Sequence, residues 1–170
     1  RYRSVLTFGH LTICKFSNDV SGQKKLAARD YKDLLQCSIP CFDGLFPEED
    51  NHIVIDTLFD FTMWHALAKS RMHTDSSLYA FKAVTSSLGS QLHCFVKTVC
   101  PQFKTKETPA EMAAQKSWVS LSDPPAAQTQ TTAKSGKIFN LLTYKFHSLG
   151  DYCWTIPQFG TTDSYSTQIV

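Results

Sequence analysis

Residues 47–101 read PEEDNHIVIDTLFDFTMWHALAKSRMHTDSSLYAFKAVTSSLGSQLHCFVKTVCP, and the fold turns on this stretch. Pro47 followed by Glu48, Glu49 and Asp50 is a helix start: the fixed φ of proline suits a first turn, and three acids complement the positive end of the helix dipole. A helix is predicted from about Glu48 to Arg71. Along it Val54, Leu58, Phe61, His65 and Met72 step by 4, 3, 4 and 7, a stripe that faces a partner and points His65 inward. Ile55, Phe59, Thr62, Met63 and Ala66 make the other flank apolar too, with Asp56 and Asp60 on the wet side. Such a helix wants neighbours on more than one side. Thr74 and Asp75 supply an N-cap and a first-turn acid for the next helix. There Leu78, Phe81, Thr85, Leu88, Leu92, Phe95 and Val99 alternate steps of 3 and 4, and Pro101 ends the run. Joined by so short a connection, the two helices form an antiparallel hairpin, each arm about 35 Å long at 1.5 Å per residue.

Upstream, Tyr31, Leu34, Leu35 and Ile39 fall at helical spacing, which predicts a short helix over residues 29–39 stopped by Pro40. Downstream, Thr108, Pro109 and Glu111 form an N-cap, a first-turn proline and a capping-box acid for a short helix fading near Trp118. Residues 119–137, VSLSDPPAAQTQTTAKSGK, hold almost no large apolar side chain and read as a flexible linker. Leu142, Phe146, Leu149, Cys153 and Ile156 then step by 4, 3, 4 and 3, a last helix weakened by Gly150 and closed by Pro157. Strand content is confined to Ser4–Ile13. The fold class is therefore mainly α: a helical hairpin or bundle with a flexible linker and a short C-terminal helix. Four units follow: a basic N-terminal arm (1–28), a helical bundle (29–118), the linker (119–137), and a C-terminal helix with a Thr- and Ser-rich tail (138–170).

The chain has 170 residues, room for one sizeable core. Apolar residues make up 42% and charged residues 19%, which excludes a disordered or collagenous chain. No apolar run approaches the roughly 18 residues of a membrane span, and no signal-peptide core follows Arg1, so the chain reads as an intracellular, soluble piece of something longer. The formal charge of +2 hides a pattern: residues 1–40 carry 7 Lys and Arg against 3 acids, whereas residues 41–78 carry 2 against 7. A total this small does not announce a nucleic-acid binder; the basic stretch is either a solvated surface or a weak phosphate contact.

No phosphate-cradling glycine loop, two-residue cysteine spacing or nucleophile-elbow serine is present. Cys37 and Cys41, with His93, Cys94 and Cys100, do not have the spacing of a zinc finger or ribbon, so structural thiols are expected and no metal site. His65 and His73 lie eight residues apart and Lys69 one turn from His65. They form either a proton-transfer or phosphate-contacting cluster, or a core imidazole beside a lysine whose stem lies along apolar surface; the second is the simpler account. Asp151 and Asp163 are twelve apart, and their spacing alone does not make them converge as a two-metal site requires.

Three segments read together carry a resemblance: FSNDVSGQKKLAARDYKDLLQCSIPCFDGLFPEEDNHIVIDTLF (16–59), WHALAKSRMHTDSSL (64–78) and FNLLTYKFHSLGDYCWTIPQFGTTDSYSTQ (139–168). In this order they resemble the C-terminal region of the Plavaka-type transposases, CACTA-related DNA transposons abundant in mushroom-forming fungi. Trp64, His65, Lys69 and His73 belong to the pattern, as do Gly150, Asp151, Tyr152, Gly160, Thr161, Thr162 and Asp163, all of unassigned role. The resemblance implies a piece of a cut-and-paste transposase whose full-length relatives hold divalent metal on the carboxylates of an RNase H-like core, with two acids upstream of Arg1 and a third past Val170. It implies no catalytic residue and no cofactor in this piece. Its partners would be the rest of a transposase, a second copy of itself, or DNA held weakly through Lys15, Lys24, Lys25, Arg29 and Lys32, with a nuclear location if functional; no membrane is implied. The alternative is a stand-alone helical interaction module without DNA activity. Two departures stand out: Leu26-Ala27-Ala28 replaces a Trp-Thr-Gly type lead into Arg29, and Pro157 replaces a basic position. Both are compatible with a decayed or domesticated copy, as is truncation at both ends.

Overall fold

The computed structural model describes residues 1–9, 12–16, 20, 26–106, 111–113 and 138–162. The described chain is mainly helical, with α1 (Ala28–Gln36), α2 (Ser38–Phe42), α3 (Glu48–Ala68), α4 (Asp75–Thr98), α5 (Tyr144–His147) and α6 (Tyr152–Phe159). Single 3-10 turns lie at Tyr2–Ser4, Cys100–Gln102 and Ser148–Gly150.

The two long helices start where their caps predict. The Thr74 side chain accepts from the Ser77 amide, while Ser77 Oγ accepts from the Thr74 amide, closing a reciprocal cap. The α4 stripe from Leu78 to Val99 is the buried one: Phe81, Leu88, Leu92 and Val99 are buried, and Leu78, Thr85 and Phe95 half-buried. Helices α3 and α4 run antiparallel. Trp64 packs on Phe81 at a ring distance of 5.6 Å near the connection, Ser87 Oγ donates to Asp60 Oδ2 at 2.6 Å further along, and Gln102 Nε2 donates to Asp50 Oδ1 at 2.8 Å at the far end.

On α3 the buried stripe differs from the predicted one. Asp50, Val54, Thr57, Trp64 and Ala68 are buried, so the seam runs one position beside Leu58 and His65, which are half-buried at its edge. A helix apolar on both flanks leaves the choice of face to its partners, and Trp64 wins because it has Phe81 and Tyr152 to pack against. Thr57 tolerates burial because its hydroxyl donates to the Ile53 carbonyl at 2.7 Å. The helix also stops at Ala68 rather than Arg71, which leaves Met72 off the helix and 82% exposed.

Three further expectations need correction. Pro40 does not stop a helix over 29–39; α1 ends at Gln36, and Pro40 sits in the first turn of α2, where no amide is needed. The predicted last helix is broken into α5, a 3-10 turn ending at Gly150, and α6. Pro157 lies inside α6, which closes instead at Gly160, whose φ of 88° is in the left-handed region that glycine enters without strain. Over Ser4–Ile13 the only described pairing is a bridge between Phe8 and Ile13.

The described part of residues 1–28 is tied to α1, α2 and the turn after them. Tyr2 Oη donates to the Leu34 carbonyl at 3.0 Å, Phe16 is buried against the Tyr2 ring, and Arg1 donates to the carbonyls of Cys41, Asp43 and Gly44. The linker 119–137 lies outside the described residues, as does most of the helix predicted near Thr108; of the latter, residues 111–113 are helical.

Candidate functional site

Two parts of the surface collect the residues singled out in the sequence. The first is the C-terminal end of α3, where the second and third segments of the resemblance meet. Trp64 contacts Phe81 of α4 and, edge-on at 4.9 Å, Tyr152 of α6. Thr162 is buried and its Oγ1 donates to the Ala68 carbonyl at 2.7 Å. That carbonyl is among the last four of α3, which have no acceptor role within the helix, so a side chain 94 residues away satisfies it. Cys153 ties α6 to α4: the Thr85 hydroxyl donates to Phe81, so the Cys153 thiol is the donor to Thr85 Oγ1 at 3.4 Å.

His73 completes this end. Its ring stacks on Phe81 at 6.1 Å, and its Nδ1 lies 3.1 Å from Ser77 Oγ. Since the Ser77 hydroxyl donates to the Thr74 carbonyl, its oxygen is left to accept, which assigns the proton to Nδ1 and the lone pair to Nε2 in neutral His73. His73 Nε2 and Trp64 Nε1 are both buried without a hydrogen-bond partner among the described residues. The remaining pattern residues are peripheral: Gly150 and Asp151 are exposed before α6, Gly160 closes it, and Thr161 is half-buried beside Thr162. Asp163 lies outside the described residues.

The second part is a basic face where α1 meets the last turns of α3. His65 is half-buried there, and its pKa is held below the usual imidazole value first by burial, then by the nearby charges of Lys69 and Lys32. Lys32 of α1 thus stands by the motif pair His65 and Lys69, a juxtaposition that no local sequence signal announces. Arg29, three residues before Lys32 on α1, donates from Nη2 to Cys14 Sγ, and the next residue, Lys15, is exposed. Two acids of α1 bond to backbone: Asp30 Oδ2 accepts the Ala27 amide at 2.8 Å, and buried Asp33 accepts the Cys14 amide at 3.3 Å. Lys24 and Lys25 lie outside the described residues.

The thiols are divided. Cys37, between α1 and α2, and Cys41 of α2 are both buried; burial raises the pKa of both, and for Cys37 the neighbouring Cys41 and Asp33 add to the rise. Tyr2 has its pKa pushed up to about 12, mainly by burial and then by the Cys41 and Cys37 charges. Cys94 is exposed on α4 and Cys100 half-buried after it. Among the described residues no group of three or more His, Cys, Asp or Glu side chains could hold a metal ion, and no helix is long and apolar enough to cross a membrane.

No family model, curated protein or solved structure matches this chain. The arrangement itself therefore carries the functional argument: a packed junction at the end of α3, and Lys32 and Lys69 near half-buried His65.

Proposed function

We propose that this chain is a non-catalytic helical part of a transposase-like protein, its full-length relatives acting in DNA transposition, and that it offers DNA a basic phosphate-contacting face. The observation that carries the reading is the placing of Lys32 and Lys69 close enough to His65 to oppose its charge. Cations drawn together at a surface gain when a polyanion neutralises them, and each phosphate contacted releases condensed counterions. Supporting it, segments of the resemblance that are far apart in sequence pack into one junction through Trp64, Tyr152, Ala68 and Thr162. On this reading the protein works in the nucleus beside the remainder of a transposase, which supplies the metal-held carboxylates, and the face acts through charge rather than base readout.

The test is fluorescence anisotropy with a labelled DNA duplex at several salt concentrations. About three phosphate contacts give a slope of log affinity against log salt of about −2.7. The double variant Lys32→Glu, Lys69→Glu should lower the affinity about tenfold and flatten the slope by about two contacts. Wild-type affinity that ignores salt, or a variant that binds like wild type, would remove the proposal.

The second reading, a stand-alone helical interaction module without DNA activity, is favoured by the outer flank of α3. There Phe59 and Met63, one turn apart, are exposed, and both stay uncovered by the other described elements. A defined oligomer by light scattering, combined with no duplex binding at low salt, would select this reading over the first.

A further inference from the structure

Where α4 ends, the chain forms an open apolar groove of about 1080 Å³. Val99 is its buried floor, Phe46 and Phe95 build the walls, and Phe103, Ile138 and Phe139 stand at its edge, Ile138 being 83% exposed. The rings are fixed by one another, Phe46 edge-on to Phe103 at 5.6 Å and Phe95 edge-on to Phe139 at 5.7 Å, so the shape is set before anything binds. Lys104 and Lys106 also line it; both are exposed, and neither ammonium has a partner among the described residues. Among the described residues no Asp or Glu lines it, and the buried carboxylate of Asp50 is engaged by Gln102.

We infer that this groove docks an acidic amphipathic helix from a partner protein, its apolar face laid on the phenylalanines and its carboxylates set against Lys104 and Lys106. Charge complementarity selects the occupant: an apolar floor edged by Lys104 and Lys106 disfavours a basic segment and leaves a neutral one without contacts for the ammonium groups. The groove is open along one side, which suits an elongated peptide laid across it. Helix-in-groove recognition has these requirements, apolar anchors at helical spacing and a charged flank. The inference is independent of the DNA reading, which uses the opposite end of α3.

The full chain is titrated into a fluorescein-labelled synthetic peptide of about four helical turns, leucine on one face and glutamate on the other, with a lysine-for-glutamate peptide as its counterpart. The glutamate peptide should bind saturably and the lysine peptide at least about tenfold more weakly. Lys104→Glu with Lys106→Glu, both at exposed positions that leave the core intact, should invert that preference, and Phe103→Ala should weaken both peptides. Equal binding of the two peptides, or a preference that survives the lysine reversals, overturns the inference. So does a chain that is dimeric by sedimentation through this groove, with the dimer lost in Phe103→Ala.

Discussion

His65 is half-buried with Lys69 and Lys32 beside it, so its neutral form is the one the fold favours. The native state therefore binds fewer protons here than the unfolded chain does near the ordinary imidazole value of about 6.5. Stability is complete above that value and declines as the pH falls through it, until the lowered native value is passed. Urea midpoints at about pH 7.5 and about pH 5.5 should fall further for wild type than for His65→Gln, which has nothing to titrate at this position. A bound phosphate reverses the electrostatics, favouring the charged ring. Duplex affinity should then rise on acidification in wild type and rise less in His65→Gln. A variant that tracks wild type in both measurements would show that His65 neither feels its lysines nor faces the DNA.

Within the helices, what could be read ahead depended on whether one cause acted alone. Helix α4 was legible because cap, dipole and a single apolar stripe agree, and Thr74, Asp75 and the run from Leu78 to Val99 sit as their chemistry requires. Helix α3 was legible in its start but not in its buried face, since Ile55, Leu58, Phe59 and Met63 make both flanks apolar and the deciding contacts come from Phe81 and Tyr152. Pro40 misled because a missing amide stops a helix only past the first turn, so it could open α2. Pro157 is the opposite case. As the sixth residue of α6 it leaves the Cys153 carbonyl without its amide and crowds it, while Gly160 ends the helix two residues after Gln158. Pro157→Ala restores the hydrogen bond but gives the unfolded chain more freedom, so the expected net gain is about 1–2 kcal/mol, read as a higher Tm. A lowered Tm would mean that the proline ring packs where the helix needs it.

Across the molecule, the candidate site was legible as residue types and illegible as places. Lys32 meets His65 only because α1 packs on α3, and Thr162 meets Ala68 across 94 residues, separations over which no periodicity carries information. These long-range ties decide whether the C-terminal segment belongs to the same cooperative unit as the two long helices. Tyr152 on Trp64, Cys153 on Thr85 and Thr162 on Ala68 join α6 and the residue after it to both helices. Thr162→Val keeps the shape and removes the hydroxyl, which leaves the last-turn carbonyl of Ala68 buried without its donor and costs about 1–2 kcal/mol. If the segment unfolds together with the helices, that cost moves the urea midpoint by the same amount whether tryptophan fluorescence or far-ultraviolet circular dichroism is followed. If it is a separate unit, fluorescence shifts first, because Trp64 loses its Tyr152 cover while the helices stay folded. Coincident, lowered transitions are the expected result; split transitions would divide the molecule at the junction where the motif residues meet, and an unmoved midpoint would show that Thr162 caps nothing.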